Sequence, residues 1–138
     1  MDVRYLAATA LALLLAACAP AGLQSLGGNL TGGWHATYGP IQFVLTVQPN
    51  GAYTETQTSG GVMTQQTGMI QPAGPGQVAF TVQDWQPKSQ SLPGAGGQVV
   101  TVPVQPPPGG VYRIQFSGPD AFTLQDTTYG GVITYTRG

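Results

Sequence analysis

Apolar and polar residues alternate along much of this chain with a period of two. The clearest run is Ile41 to Gln48, where Ile41, Phe43, Leu45 and Val47 share one face while Gln42, Thr46 and Gln48 mark the other, with Val44 the apolar exception. A two-residue period sets successive side chains on opposite sides of an extended backbone, so this run predicts a strand with one buried face. Pro49, Asn50 and Gly51 supply a fixed φ and permissive residues for a tight connection, and Ala52 to Thr58 returns to complete a hairpin. The same period recurs at Val78, Phe80 and Val82 within Gln77 to Trp85, at Tyr112, Ile114 and Phe116 within Val111 to Phe116, and at Phe122 and Leu124 within Ala121 to Asp126. Trp34 to Tyr38, Val62 to Ile70, Val99 to Val104 and Val132 to Arg137 bring the expected strands to nine.

Helices have almost nowhere to form. From Leu30 onward the longest stretches free of Gly and Pro are 10 residues, Gln77 to Gln86 and Asp120 to Tyr129, and both are rich in Thr, Val, Gln and aromatic residues. Helix interiors reject Pro and disfavour Gly, and these compositions suit strands better. Many short strands with turn residues between them predict an all-β domain, either an antiparallel up-and-down barrel or a sandwich of about eight or nine strands. Gln86 to Gln98 and Gln105 to Gly110 interrupt the series as long or stiff loops. Gly and Pro at this density read first as floppy excursions and second as binding elements.

The first residues follow different rules. Met1 to Arg4 carries one Arg, Leu6 to Ala17 is a run of Leu and Ala with one Thr, and small residues precede Cys18. A positive start, an apolar stretch and a cleavage site make a secretory signal over residues 1–17. The twelve residues of the apolar stretch span about 18 Å as a helix against roughly 30 Å of bilayer hydrocarbon, too short to cross. Leu15, Ala16, Ala17 and Cys18 resemble the lipobox of bacterial lipoproteins. That resemblance implies a diacylglycerol thioether on Cys18, cleavage just before it, and acylation of the new amino terminus, typically with palmitate. Several acyl chains at about 0.8 kcal/mol per buried methylene hold far better than one, so the implied attachment to the membrane is stable. Ala19 rather than Asp after the cysteine resembles the outer-membrane sorting pattern, which implies a cell-envelope lipoprotein facing the periplasm or the surface. Residues 18–29, small, uncharged and aperiodic after the cysteine, read as a flexible tether, with the folded domain expected over 30–138.

With Cys18 committed to lipid, no thiol remains for a disulfide, so the domain depends on its core. Four Lys and Arg against five Asp and Glu, a formal charge of −1, leave no basic field for phosphates and exclude nucleic acid as the expected partner.

The segment Leu30 to Arg137 resembles the small lipocalin-like domains of bacterial lipoproteins. The residues that carry the resemblance are Gly32, Gly33 and Trp34 (G-x-W at the first strand), Val44 to Tyr53 (VLTVQPNGAY), Gly68, Tyr112 with Ile114, Phe122 with Leu124, and the closing Tyr135, Thr136 and Arg137. In that family the tryptophan packs at the closed end of the barrel under an arginine from the last strand, which implies that Trp34 and Arg137 stack. The long insert from Gln86 to Gly110 departs from the compact family pattern at the expected cavity mouth.

Chemistry for catalysis is thin. His35, beside Trp34, should face the opposite side of its strand as a rim or surface residue, and a lone His builds no closed zinc site. No G-x-S-x-G, H-E-x-x-H or phosphate-binding glycine loop is present. Of the carboxylates Glu55, Asp84, Asp120 and Asp126, Asp120 reads as turn chemistry and Asp126 as a strand end. Only a pair meeting in one cleft around Glu55 or Asp84 would suggest acid–base work. The expected function is therefore non-catalytic, without cofactor or metal. A barrel interior built from Phe43, Leu45, Val47, Phe80, Val82, Tyr112, Ile114, Phe116, Phe122 and Leu124 would bind a small apolar or amphipathic ligand. The alternative is a structural or interaction lipoprotein that contacts an envelope protein in an assembly, pilotin-like or inhibitor role.

Overall fold

A computed structural model of the protein describes residues 23 and 26–138. Eight strands close into one antiparallel barrel: β1 (Gly32–Tyr38), β2 (Ile41–Val47), β3 (Ala52–Ser59), β4 (Val62–Pro72), β5 (Gln77–Gln86), β8 (Gly110–Phe116), β9 (Ala121–Asp126) and β10 (Val132–Arg137). Each pairs with its neighbour in this order, and β10 returns to β1 with Trp34 opposite Arg137 and Ala36 opposite Tyr135. The architecture is thus the up-and-down barrel rather than the sandwich. Two further strands, β6 (Ser89–Pro93) and β7 (Val99–Pro103), form a separate hairpin inserted between β5 and β8.

All nine expected segments are strands, displaced by at most two residues at their ends. The tenth, β6, lies inside Gln86 to Gln98, whose Gly and Pro content predicts a loop. Its five residues SQSLP are all exposed and pair only with β7, so no buried face imprinted an alternation on them. Within the segment expected to form the tether, Leu23 and Leu26 are 6% and 7% exposed and belong to the same core cluster as Leu30. Cys18 and residues 1–17, on which the signal and lipidation expectations fall, lie outside the described residues.

The closed end, here the floor, is built where the chain enters. Leu30, Trp34, Leu45, Val47, Val78 and Phe122 are each at most 2% exposed. Trp34 donates its indole N–H to the Leu30 carbonyl at 2.8 Å and meets Phe122 edge-on with ring centroids 4.6 Å apart. Arg137 lies over the other part of this cluster, its Cζ 4.0 Å from the Trp34 ring centroid, so the stacked pair implied by the resemblance is present. A cation over a tryptophan face contributes roughly 0.5 to 2 kcal/mol. The guanidinium also donates to the carbonyls of Thr31 (2.8 Å), Asn29 (3.1 Å) and Pro119, tying the entering segment, the β8–β9 turn and the last strand together. Gly32 makes room for this: its φ is +118°, and a Cβ there would sit 2.6 Å from Arg137 Nη1.

The ladder between β4 and β5 is interrupted once. Thr67 pairs with Asp84 but Gly68 pairs with Val82, so Gln83 is an extra residue in β5 opposite no partner. This bulge reverses the alternation, and Trp85 faces the same way as Phe80 despite the odd spacing. Gly68 permits the close approach of the strands, since a Cβ would collide with the Thr81 carbonyl oxygen and lie 3.1 Å from the Tyr53 ring.

Candidate functional site

At the end opposite the floor the barrel opens into a cavity of about 420 Å³. An eight-stranded barrel has an interior just wide enough to be filled by its own side chains or to hold one small ligand. Here the floor takes the first course and the mouth the second. Phe43 from β2, Phe80 from β5, Tyr112 from β8, Leu124 from β9, and Ile133 and Tyr135 from β10 make the apolar wall. β3 and β4 contribute a polar strip instead: Glu55, Gln57 and Gln66. Pro107 and Pro108, from the stiff segment before β8, stand at the rim with Tyr38 and Tyr129. The insert thus shapes the mouth, and the indole N–H of Trp85 fixes its returning arm by donating to the Val104 carbonyl at 3.2 Å. A side recess of about 90 Å³ runs from Glu55 and Gln66 toward Trp85 and Val104.

The ten residues nominated for the interior divide between the two ends. Phe43, Phe80, Tyr112 and Leu124 line the cavity. Leu45, Val47, Ile114 and Phe122 are buried in packed core, with Phe116 packed against it, and offer a ligand no surface. Val82, half-buried beside the bulge, does not reach the cavity lining either. Gly32, Trp34 and Arg137 meet at the floor, away from the cavity.

Glu55 is the unusual member of the site. It is 7% exposed and is the one buried charged or polar residue among those described. Its position follows from strand phase: in Ala52–Ser59 the residues Tyr53, Glu55 and Gln57 point inward, with Leu45 of β2 and Gln66 of β4 as the partners of Glu55. Gln57 donates to Oε1 at 3.0 Å and the Tyr135 hydroxyl donates to Oε2 at 3.1 Å. Burial pushes the Glu55 carboxyl above its ordinary range, and the two hydrogen bonds only partly oppose this. The surrounding phenols respond in turn: Tyr53 is pushed up to about 12, mainly by burial and then by Glu55, and Tyr112 and Tyr135 are raised for the same leading reason.

The remaining candidates lie elsewhere or are engaged. Asp84 bonds Lys88 at 2.6 Å on the surface, where that hydrogen bond lowers its pKa, and Lys88 also sits 3.3 Å from the Trp85 ring centroid. Asp120 lies 3.6 Å from Arg137 at the floor. Asp126 lines the cavity with Glu55, but its Oδ1 accepts the backbone N–H groups of Thr128 and Tyr129 at 2.7 and 3.0 Å and so shapes the β9–β10 turn. His35 is exposed. Two open depressions of about 490 and 400 Å³ flank the floor on its outside, one between the β2–β3 turn and the end of β4 beside Leu23 and Met69, the other between the entering segment and the β8–β9 turn beside Phe116 and Arg137.

Gln57 and Gln66 join the site without being expected there, since nothing in their local sequence sets them apart and their role comes from strand phase. Pro107 and Pro108 belong to the stiff stretch Gln105 to Gly110, whose composition reads first as a plain excursion and second as a binding element. Comparison with protein-family models, with curated proteins and with solved structures gave no match to this chain.

Proposed function

We propose that this protein is a lipid-anchored, non-catalytic lipoprotein of the bacterial cell envelope whose lipocalin-like barrel holds one small amphipathic molecule in its mouth. The observation that carries the reading is the 420 Å³ cavity with aromatic walls on one side and Glu55, Gln57 and Gln66 on the other. Binding sites combine mostly apolar walls with a few convergent polar groups in this way, at volumes of roughly 300 to 1,000 Å³. The sequence features from Met1 to Cys18 support the anchor, and the G-x-W and terminal Arg support the lipocalin-like reading.

The inserted hairpin favours a second reading. β6 and β7 expose Leu92, Val99 and Val100 at 43%, 72% and 46%, and each strand pairs only with the other. Such a hairpin offers an envelope protein an edge for strand addition. One experiment addresses both: native mass spectrometry of the protein extracted from membranes, with the low-mass fraction analysed separately. The ligand reading expects a chain beginning at acylated Cys18 with a co-purified small molecule that excising the hairpin does not remove. An uncleaved, unacylated chain would overturn the anchor. A bound protein lost on excision of residues 89–103, with no small molecule, would favour the second reading.

A further inference from the structure

We propose that the cavity selects an organic cation, an amine or quaternary ammonium on an apolar body, with its charge beside Glu55 and its body against Phe43, Phe80, Tyr112 and Leu124. This rests on the ligand-binding reading and names the ligand class for it.

Among the described residues Glu55 has no partner of opposite charge. A buried carboxylate is costly unless a cation or several hydrogen bonds compensate it. Glu55 has one donor on each oxygen, Gln57 and Tyr135, while an ionised carboxylate offers about four acceptor sites. None of the described basic or imidazole side chains, Lys88, Arg113, Arg137 and His35, lines the cavity. Lys88 is held by Asp84, and Arg137 by Trp34 and the floor carbonyls. The interior is therefore acidic without a counter-charge, since Asp126 lines it as well.

The walls point the same way. Aromatic rings surround the carboxylate: Tyr53 packs edge-on to Phe80 with centroids 5.1 Å apart, and Phe80 packs edge-on to Tyr112 at 5.4 Å. Ring faces carry negative charge density and attract cations, most strongly where water is excluded. An anionic headgroup would meet two carboxylates and no base. A neutral ligand would leave Glu55 without a counter-ion.

The titratable groups around Glu55 are Tyr53 on its own strand, Tyr112 on β8 and Tyr135 on β10, with Asp126 of β9 lining the same cavity; β2 and β4 present only Leu45 and Gln66 in its register. A bound cation favours the ionised carboxylate. Affinity therefore rises with pH through the titration of Glu55, and a quaternary ammonium keeps its own charge throughout.

The test is calorimetric titration of the full chain with benzyltrimethylammonium, its uncharged carbon isostere neopentylbenzene, and phenylacetate as the anion. The proposal expects the cation to bind about tenfold or more tightly than the isostere, phenylacetate to bind weakest, and the cation's affinity to fall between pH 8 and pH 4. Glu55→Gln should reduce the preference for cation over isostere to under about threefold, with an unchanged circular-dichroism spectrum, and Glu55→Asp should retain part of it. Equal binding of cation and isostere, or a preference that survives Glu55→Gln, would overturn the cation inference while leaving the ligand reading intact. Absence of binding by all three probes would overturn both.

Discussion

The floor and the mouth of this barrel are made from the same eight strands and have opposite interiors. At the floor the inward residues are Trp34, Leu45, Val47, Val78 and Phe122, closed over by Leu30 and capped by Arg137. At the mouth the inward positions are Glu55 and Gln57 of β3, Gln66 of β4, and Tyr112 and Tyr135 of β8 and β10, set around open space. Stability is concentrated where side chains interdigitate and ligand chemistry where they do not. This division lets a protein with a small core keep an under-packed, partly charged pocket.

Mutations at the two ends should separate these roles. Trp34→Ala removes the largest fully buried side chain and should cost about 3 to 5 kcal/mol in urea denaturation, whereas Tyr129→Ala at the rim, where the ring is 89% exposed, should cost under about 0.5 kcal/mol. Equal effects would erase the distinction. Arg137→Ala should cost about 1 to 2 kcal/mol, since one side chain joins three segments of the floor, and Arg137→Lys should recover little of it because an ammonium lacks the planar fork that reaches several carbonyls at once.

Glu55→Gln should act in the opposite direction, raising stability on the order of 1 kcal/mol at neutral pH by removing a desolvated charge. The sign follows from linkage. The folded carboxyl has a raised pKa, so the folded state binds its proton more tightly than the unfolded chain does. Wild-type stability is then greatest, as far as this group is concerned, below its ordinary pKa of 4.5, and falls as pH rises through the higher folded-state value. The gap between Glu55→Gln and wild type should therefore widen from pH 4 upward, as read by melts across that series. Smallest of all, replacing Ser89–Pro103 with a short Gly-Ser linker should change barrel stability by under about 1 kcal/mol, because β6 and β7 pair with each other and with no barrel strand.

The floor is more legible in the sequence than the mouth. Alternation in Ile41–Val47 and Ala121–Asp126 exists because one face of each strand is buried, and the G-x-W and the final Arg stand out as a pair from their family resemblance alone. β3 shows why the mouth is harder to read. Beyond Tyr53 its inward residues are Glu55 and Gln57 and its outward ones are Thr54, Thr56 and Thr58, so both faces are polar and periodicity is silent. Glu55 is visible as a carboxylate, but the hydroxyl that holds it comes from Tyr135, 80 residues away. The phase reversal at Gln83, which turns Trp85 inward, leaves no local mark, and β6 has no buried face from which it could be recognised.

Because the wall is sealed by its own first and last strands, closure is a matter of timing. Until Val132–Arg137 has been supplied, β1 and β9 each present a bare ladder of amide and carbonyl groups, which any other extended chain could join. Contacts of such long range form slowly. The arginine next to the final glycine therefore acts as a latch: it can reach Trp34 and the entering strand only once the ring is whole. A chain shortened by these few residues would lose more than its end, since it would become an adhesive, open sheet.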